Sequence, residues 1–539
     1  MSEQQDKKGF SRRDLLKGLV GIPVVGSLFA AAAARYSTDQ EVRETILSEL
    51  NINAVAPPAS GPMSGDAIRL GIIGFGIRGK QLMRALGFAD KGWKESMLAS
   101  AQKNSNDSRL KDFLDQENLN VQIRGVCDVF DTYAQMAVET GTVEGNTPKR
   151  YRTFQEMVQA SDIDAIVIAA PDHWHAPMAM EAARAGKHVY VEKPMTHNLS
   201  ETYELYNTIK ETGVVFQVGH QHRQTQSFLT AIDAINKGVL GHISLIQTNT
   251  NRNDDNGAWQ YDIHKEASPQ TVDWNQFLGN APSIPWNPEH FFRWRKWWEY
   301  GTGLSGDLLT HDYDRINCLL KMGIPKTVVA SGGVYTHNDG RDVPDVFQVV
   351  MEYPDFYMTS SQEPGKVKGM TFMYSSTLGN QYDRGTILMG HDGTMELGNS
   401  MTIYADPRST RYADWVKNGL VSEDVPLYSY NPQAKGLDGV TSATARYFAD
   451  KGLLFTYRDG KRVDSTHLHM REWLSCIRNG GKPSCSIEEG FQEAIAAHMG
   501  TLSLKTGRRV EWDPTAKRIV DFETEEIDNI LVSTGKIAV

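Results

Sequence analysis

The chain has 539 residues, enough for two domains with a sizeable core. A net charge of −10 and a pI near 5.9 exclude the basic footprint that nucleic acid or an anionic membrane surface requires. Four cysteines (Cys127, Cys318, Cys476, Cys485) and fifteen scattered histidines show no ligand spacing, so no metal site is expected.

The first predicted element is a signal. Ser11-Arg12-Arg13-Asp14-Leu15-Leu16-Lys17 precedes the apolar stretch Leu19 to Phe29 and the alanines 30–34. A twin-arginine basic region, a short apolar core and small residues together predict export of the folded protein through the twin-arginine translocase to the periplasm. The stretch is short for a membrane span, and Gly21, Pro23 and Gly26 weaken it as a helix; an uncleaved anchor is the alternative. A Pro-, Ala- and Ser-rich segment then closes a linker over 36–65.

From residue 66 strands alternate with helices. The apolar run 68–73 is followed by Gly74-Phe75-Gly76-Ile77-Arg78-Gly79 and a helix to about 86. A polar, partly helical insertion over 87–120 leads to the strand 121–127, which ends at Asp128. The strand 165–170 stops at Pro171-Asp172-His173-Trp174-His175, a helix spans Pro177 to Ala185, and the next strand ends in Glu192-Lys193-Pro194. A helix at 200–211 and a strand at 214–218 complete the series. Such alternation predicts a doubly wound parallel α/β sheet, a Rossmann domain over 66–220.

Beyond about residue 240 the texture changes. Strand-like runs at 243–248, 327–335, 347–353 and 386–389 lack crossover helices between them, which predicts an α+β second domain over 221–515 with a large, mostly antiparallel sheet. The stretch 405–460 is irregular, a helix is expected over 487–505, and 516–539 reads as a tail. Cys127 lies in an apolar strand and reads as a core residue, whereas Cys476 and Cys485 could pair in an oxidising compartment.

Three motifs carry chemistry. In the glycine loop, Gly74 permits a tight turn, Gly76 lets the backbone approach a pyrophosphate, and Gly79 allows close packing of helix on strand. A carboxylate such as Asp128 at the end of the next strand accepts from ribose hydroxyls; its separation from Gly79 exceeds the usual ~20 residues because of the insertion. No basic residue follows in 129–132, which favours NAD over NADP. Lys193 stands at the carboxyl edge of the sheet, where ligands of open α/β sheets bind. Asp307 and His311 are spaced to share one helix face and suit acid–base work; a helix cap and a core histidine are the plainer alternative.

Taken together these residues resemble the Gfo/Idh/MocA oxidoreductase family over roughly 66–515. The resemblance rests on the glycine loop, on Pro171-Asp172-His173-Trp174-His175-Ala176-Pro177, on the Ala185 to Pro194 run, and on Asp307, His311 and Asp314. It implies that Lys193, Asp307 and His311 form the catalytic set and that His175 and Glu192 lie near the nicotinamide. Pro171, Asp172 and His173 are then cofactor-site residues. Where other members often have Gly two residues before the histidine, this chain has Leu309.

The run Phe291 to Tyr300 is rich in aromatic and basic side chains. Arg293, Trp294 and Trp297, with Gln221 and Arg223, are candidate substrate contacts, since aromatic faces stack on sugar rings; core or subunit-interface anchors are the alternative for the tryptophans. The expected activity is hydride transfer between a sugar, polyol or glycoside and a tightly bound nicotinamide cofactor, because an exported enzyme has no free pool to draw on. A redox-assisted glycosidase (oxidation, elimination, hydration, reduction) and a non-catalytic sugar-binding relative are the alternatives. An exposed face on a large antiparallel sheet also points to a homodimer or homotetramer.

Overall fold

The computed structural model describes residues 44–54, 61–105, 107–356, 369–422, 425–431, 455–458 and 461–533. The twin-arginine segment lies outside the described residues, as does most of the 432–460 stretch.

The first sheet has six parallel strands, β1 (Ile68–Ile73), β2 (Val121–Cys127), β3 (Lys149–Tyr151), β4 (Ala165–Ile168), β5 (His188–Val191) and β6 (Phe216–Val218), in the order 3-2-1-4-5-6. Every residue of β4 is buried, which is why these strands read as unbroken apolar runs rather than alternating ones. The strand order reverses between β1 and β4, so the loops after them open a crevice at the sheet's carboxyl edge.

Helices cover both faces. α1 (Ile77–Ala85) follows the glycine loop, α2 (Lys91–Lys103) and α3 (Arg109–Leu114) form the insertion, and α4 (Asp131–Gly141) follows β2. α5 spans Asp172–Arg184. The Pro171–His175 stretch therefore opens this helix instead of preceding it. Proline at the cap position has no amide to leave unpaired, and Asp172 in the first turn complements the helix dipole. α6 (Leu199–Thr212) is capped by the Asn198 side chain and ends at Gly213, φ 65°.

The second domain is built on ten strands. In addition to β7 (Ile243–Asn251), they are β8 (Thr327–Gly333), β9 (Val346–Tyr353), β10 (Met370–Thr377), β11 (Thr386–Gly390), β12 (Gly393–Leu397), β13 (Met401–Ala405) and β14 (Tyr428–Tyr430); β15 (Phe455–Arg458) and β16 (Lys461–Asp464) form a separate hairpin. β17 (Val510–Asp513) and β18 (Arg518–Ile519) complete the large sheet beside β8. Its pairs are antiparallel except β7 with β10. Burial alternates along β10, the signature of a sheet with one covered face. α7 (Gln226–Asn236), α8 (Thr310–Leu320) and α10 (Ile487–Thr506) lie with the covered face in one core, which includes Leu309, Tyr313, Phe347, Ile495 and Met499.

Three features depart from the sequence reading. Residues 44–50, inside the expected linker, are helical, and Ile46 and Leu50 are buried in the second domain's core. The expected tail carries β18 and α11 (Thr524–Val532), whose Asp528 accepts from the backbone of Leu199 at the start of α6. Finally, the chain returns to the first domain late: α9 (Ser465–Asn479) places Met470, Trp473 and Leu474 in the core beneath β1 and β4. All four cysteines are free.

Candidate functional site

The glycine loop is shaped by contacts that admit no side chain. Gly74 has φ +84°, and a Cβ there would lie 2.6 Å from the Ala169 carbonyl oxygen. A Cβ on Gly79 would meet the Gly74 carbonyl oxygen at 2.1 Å, so α1 can pack this close only through glycine. A Cβ on Gly76 would meet nothing within 4 Å. That open side, at the N-terminus of α1 with no side-chain cap, suits a dinucleotide's pyrophosphate. Phe75 is buried, whereas Ile77 is 61% exposed at the mouth.

Asp128 ends β2 with its carboxylate already oriented. Oδ2 accepts from the Phe75 amide at 2.7 Å and Oδ1 from the Phe130 amide at 2.8 Å. Burial pushes its pKa up to about 6 against the opposing pull of those amides, Arg150 and Lys80. Each oxygen keeps a lone pair for a ribose hydroxyl. The residues fit a dinucleotide: the open glycine, the bare helix N-terminus and the oriented carboxylate lie along one edge of the sheet. A segment of the second domain reinforces this end. The Asp131 amide donates to Thr271 O at 2.9 Å, and the Asp273 amide donates to Val129 O at 2.8 Å.

At the carboxyl end of β5, Lys193 Nζ donates to the Asp307 backbone oxygen at 2.6 Å and to its Oδ1 at 2.8 Å. Both side chains are only 9% exposed. Arg295 Nε donates to the same Oδ1 at 3.1 Å, and Trp259 Nε1 donates to Oδ2 at 3.1 Å. Burial alone would raise the Asp307 pKa, but Lys193, Arg295 and Arg252 outweigh it and hold the carboxyl well below its ordinary range. Asp307 sits on a π-helical turn, Ser305–Leu309, that runs into α8, which carries His311. The wider turn replaces the single α-helical face the spacing suggested.

His311 lies edge-on to the rings of His220, at 5.8 Å, and His222, at 5.7 Å. Burial first, then Lys193 and the neighbouring histidines, hold its pKa well below 6.5, so the ring is neutral at pH 7. Its Nδ1 is buried without a hydrogen-bond partner. His222 is likewise depressed, by burial and by Arg315, whose Nη2 lies 2.7 Å from its Nε2.

The remaining predicted residues divide. Arg78 bridges Glu192 Oε1 at 2.7 Å and Gln221 Oε1 at 3.1 Å, so the glycine-loop arginine joins two strand ends across the crevice. His175 braces the loops after β4 and β5, with Nδ1 2.7 Å from Pro194 O and Nε2 2.8 Å from Ala170 O. Asp172 is buried and accepts from the Thr302 amide and hydroxyl, at 3.1 and 2.7 Å. His173 Nε2 lies 2.8 Å from Phe277 O, and burial pushes its pKa down to about 3.

Arg223 is likewise buried in a pairing with protein groups. Its fully buried guanidinium is spent on Asp314 and the Ser484 carbonyl, because an unpaired charge could not be held there. Arg293 is committed to Tyr261 O and Glu289. Trp297 stacks on His290 at 3.8 Å. Trp294 carries the Arg295 guanidinium over its ring at 4.1 Å, so it backs the wall beside Asp307. Sequence reasoning missed Arg295 and Trp259 as partners of Asp307. Arg295 stood within the aromatic–basic run that was singled out, while Trp259 has no local signal at all.

Residues 68–220 match the description "oxidoreductase family, NAD-binding Rossmann fold", and residues 232–512 match that family's C-terminal alpha/beta domain. Levoglucosan dehydrogenase of Pseudarthrobacter phenanthrenivorans is 28% identical over 190 residues, covering 33% of this chain and 41% of the relative. A glycosyl hydrolase family 109 protein of Shewanella sp. (strain ANA-3) is 28% identical over 129 residues, 23% of this chain and 28% of that protein. The chain thus spans less than half the length of these curated relatives. A solved levoglucosan dehydrogenase, in complex with NADH and levoglucosan, superposes with a TM-score of 0.53 at 17% identity, over 83% of this chain and 99% of that one. On the strength of the two matched domains, the chain belongs to the Gfo/Idh/MocA oxidoreductase family.

Proposed function

We propose that the protein transfers hydride between a carbohydrate CH–OH carbon and a nicotinamide dinucleotide that it retains. The observation that carries the reading is the Lys193–Asp307–Arg295 network beside the neutral His311, at the sheet edge that also bears the glycine loop. The dinucleotide, when bound, supplies the hydride acceptor and donor. In the oxidative direction His311 takes the proton of the substrate hydroxyl, and the Lys193 ammonium donates to the oxygen on which charge develops. Asp307 holds Lys193 in place, the buried Trp259 fixes the Asp307 carboxylate from behind, and Arg295 over Trp294 gives a polar and aromatic wall suited to a sugar ring. The dehydrogenase likeness supports this substrate class, and the clamp of residues 271–273 on 129–131 supports tight retention.

The test is a spectrum of the gently purified protein before and after addition of a panel of sugars and glycosides, with product analysis. The wild type should show bound nucleotide that becomes reduced with one of them. Lys193→Ala should retain the nucleotide and reduce it at least a hundredfold more slowly; unchanged reduction sinks the assignment. Free sugar and aglycone without net redox change would establish the glycosidase route instead.

Export belongs to the same proposal. Changing Arg12 and Arg13 to lysine should leave the protein in the cytoplasmic fraction, and an unaltered distribution would refute the signal. Assembly through the exposed face of the ten-stranded sheet, where Val329 of β8 and Met373 of β10 are exposed, predicts a dimer or tetramer by light scattering. A monomer would refute it.

A further inference from the structure

Beside Asp128 lies a cavity of about 370 Å3 between the ends of β2 and β3 and the second-domain segment 269–276. The residues that line it include three acids, Asp128, Asp131 and Asp273, and two arginines, Arg150 and Arg152. The sequence offers no basic residue directly after Asp128, but the fold brings these two arginines round from β3 and the residue after it. Neither is free. Asp131, the first residue of α4, accepts from Arg150 Nη2 and, on the same Oδ1, from Arg152 Nη1 at 3.0 Å. Arg150 Nε is buried beside this pair without a partner.

The geometry points to Asp131 as the residue that sets nucleotide choice: by pairing off Arg150 and Arg152 it makes the ribose end of the site accept a 2′-hydroxyl and reject a 2′-phosphate. This deepens the reading above by naming its cofactor as NAD. Asp128 lies at the end of the strand next to the glycine loop, where a carboxylate meets the adenosine ribose. Its two oxygens are fixed by backbone amides, leaving lone pairs for a diol and none of the donors a phosphate needs. A 2′-phosphate brings up to about two negative charges. Three lining acids already exceed two lining arginines by one. Removal of the Asp131 charge leaves two against two and releases both guanidiniums, whose planar forks suit phosphate.

The test is isothermal titration calorimetry of nucleotide-stripped full-length protein with NAD and with NADP, in the absence of sugar. The wild type should bind NAD at least tenfold more tightly than NADP. Asp131→Asn should shrink that ratio at least tenfold, mainly through tighter NADP binding, and Arg150→Ala in the same background should undo the gain. Equal affinities in the wild type, or an unchanged ratio in Asp131→Asn, overturn the inference. So does loss of both nucleotides in Asp131→Asn, since Asp131 would then be needed for the site itself. Because no substrate enters, failure of the sugar chemistry leaves this result standing, and failure here leaves that chemistry untouched.

Discussion

Asp307 and His311 are four residues apart, yet their surroundings drive them to opposite tasks. Asp307 is charged because three cations face it, and His311 is neutral because burial and cationic neighbours penalise its imidazolium. The direction of that shift has a kinetic consequence. A base whose pKa lies below 6.5 stays deprotonated as pH falls to that value, so kcat/KM for oxidation should hold steady from pH 8 to 6.5 and decline only in more acid solution. An acid limb centred at or above 6.5 would exclude His311 as the base. Asp307 also contributes to pH-dependent stability. Its folded pKa lies below the unfolded value, so the stabilisation is present above about pH 4 and is lost as pH falls further. Of this arrangement, Lys193 stood out by its place at the sheet edge, while Asp307 and His311 joined it through the family resemblance, their spacing by itself fitting a cap and a core histidine equally well. Arg295 and Trp259 were not legible, because a partner 12 or 48 residues away in sequence leaves no spacing to read. The pairing of Arg223 was hidden for a related reason: a basic residue after a strand looks the same in sequence whether its side chain stays open or meets a buried Asp314.

At the scale of elements, the π turn before α8 decides where Asp307 stands. Gly306 lies within it, and a Cβ there would fall 1.9 Å from Thr302 Oγ1. That hydroxyl donates to Asp172 at the start of α5, so the turn is tied to the first domain through a contact that tolerates no side chain. Alanine usually favours a helix over glycine by about 1 kcal/mol. Here Gly306→Ala should instead displace Thr302 and tilt Asp307, cutting kcat roughly a hundredfold, the scale of a 1 Å misplacement, while nucleotide remains bound. Full activity in this variant would show that the Thr302–Asp172 tie does not position the site. The glycine loop and the β–α alternation could be read directly, since each depends on residues adjacent in the chain. Whether Pro171–His175 was loop or helix could not, because Pro177 inside α5 signals a break that the surrounding packing overrides.

For the whole molecule, the decisive feature is the late return of α9 to the Rossmann core. Trp473 is fully buried against Tyr190, with ring centroids 5.8 Å apart, and His469 O accepts from Gln217 on β6 at 2.8 Å. The nucleotide domain is therefore completed by residues nearly 250 positions beyond β6. Trp473→Ala should cost about 3–5 kcal/mol, as for other buried tryptophans, and should loosen nucleotide binding although the site lies elsewhere. A chemical denaturation midpoint unchanged from wild type would refute that role.

Patterns carried by neighbouring residues were settled along the chain: the doubly wound sheet, the glycine loop, the lysine at its carboxyl edge and the change to an antiparallel domain. Each follows from hydrophobic period, turn chemistry and residue order, which act locally. The tertiary structure alone decided which charges meet: that Arg223 serves Asp314, that Arg295 and Trp259 enclose Asp307, and that Arg150 and Arg152 arrive beside Asp128 already held by Asp131. Charge pairing acts over a few ångströms of space, and only the folded chain determines which distant residues share them.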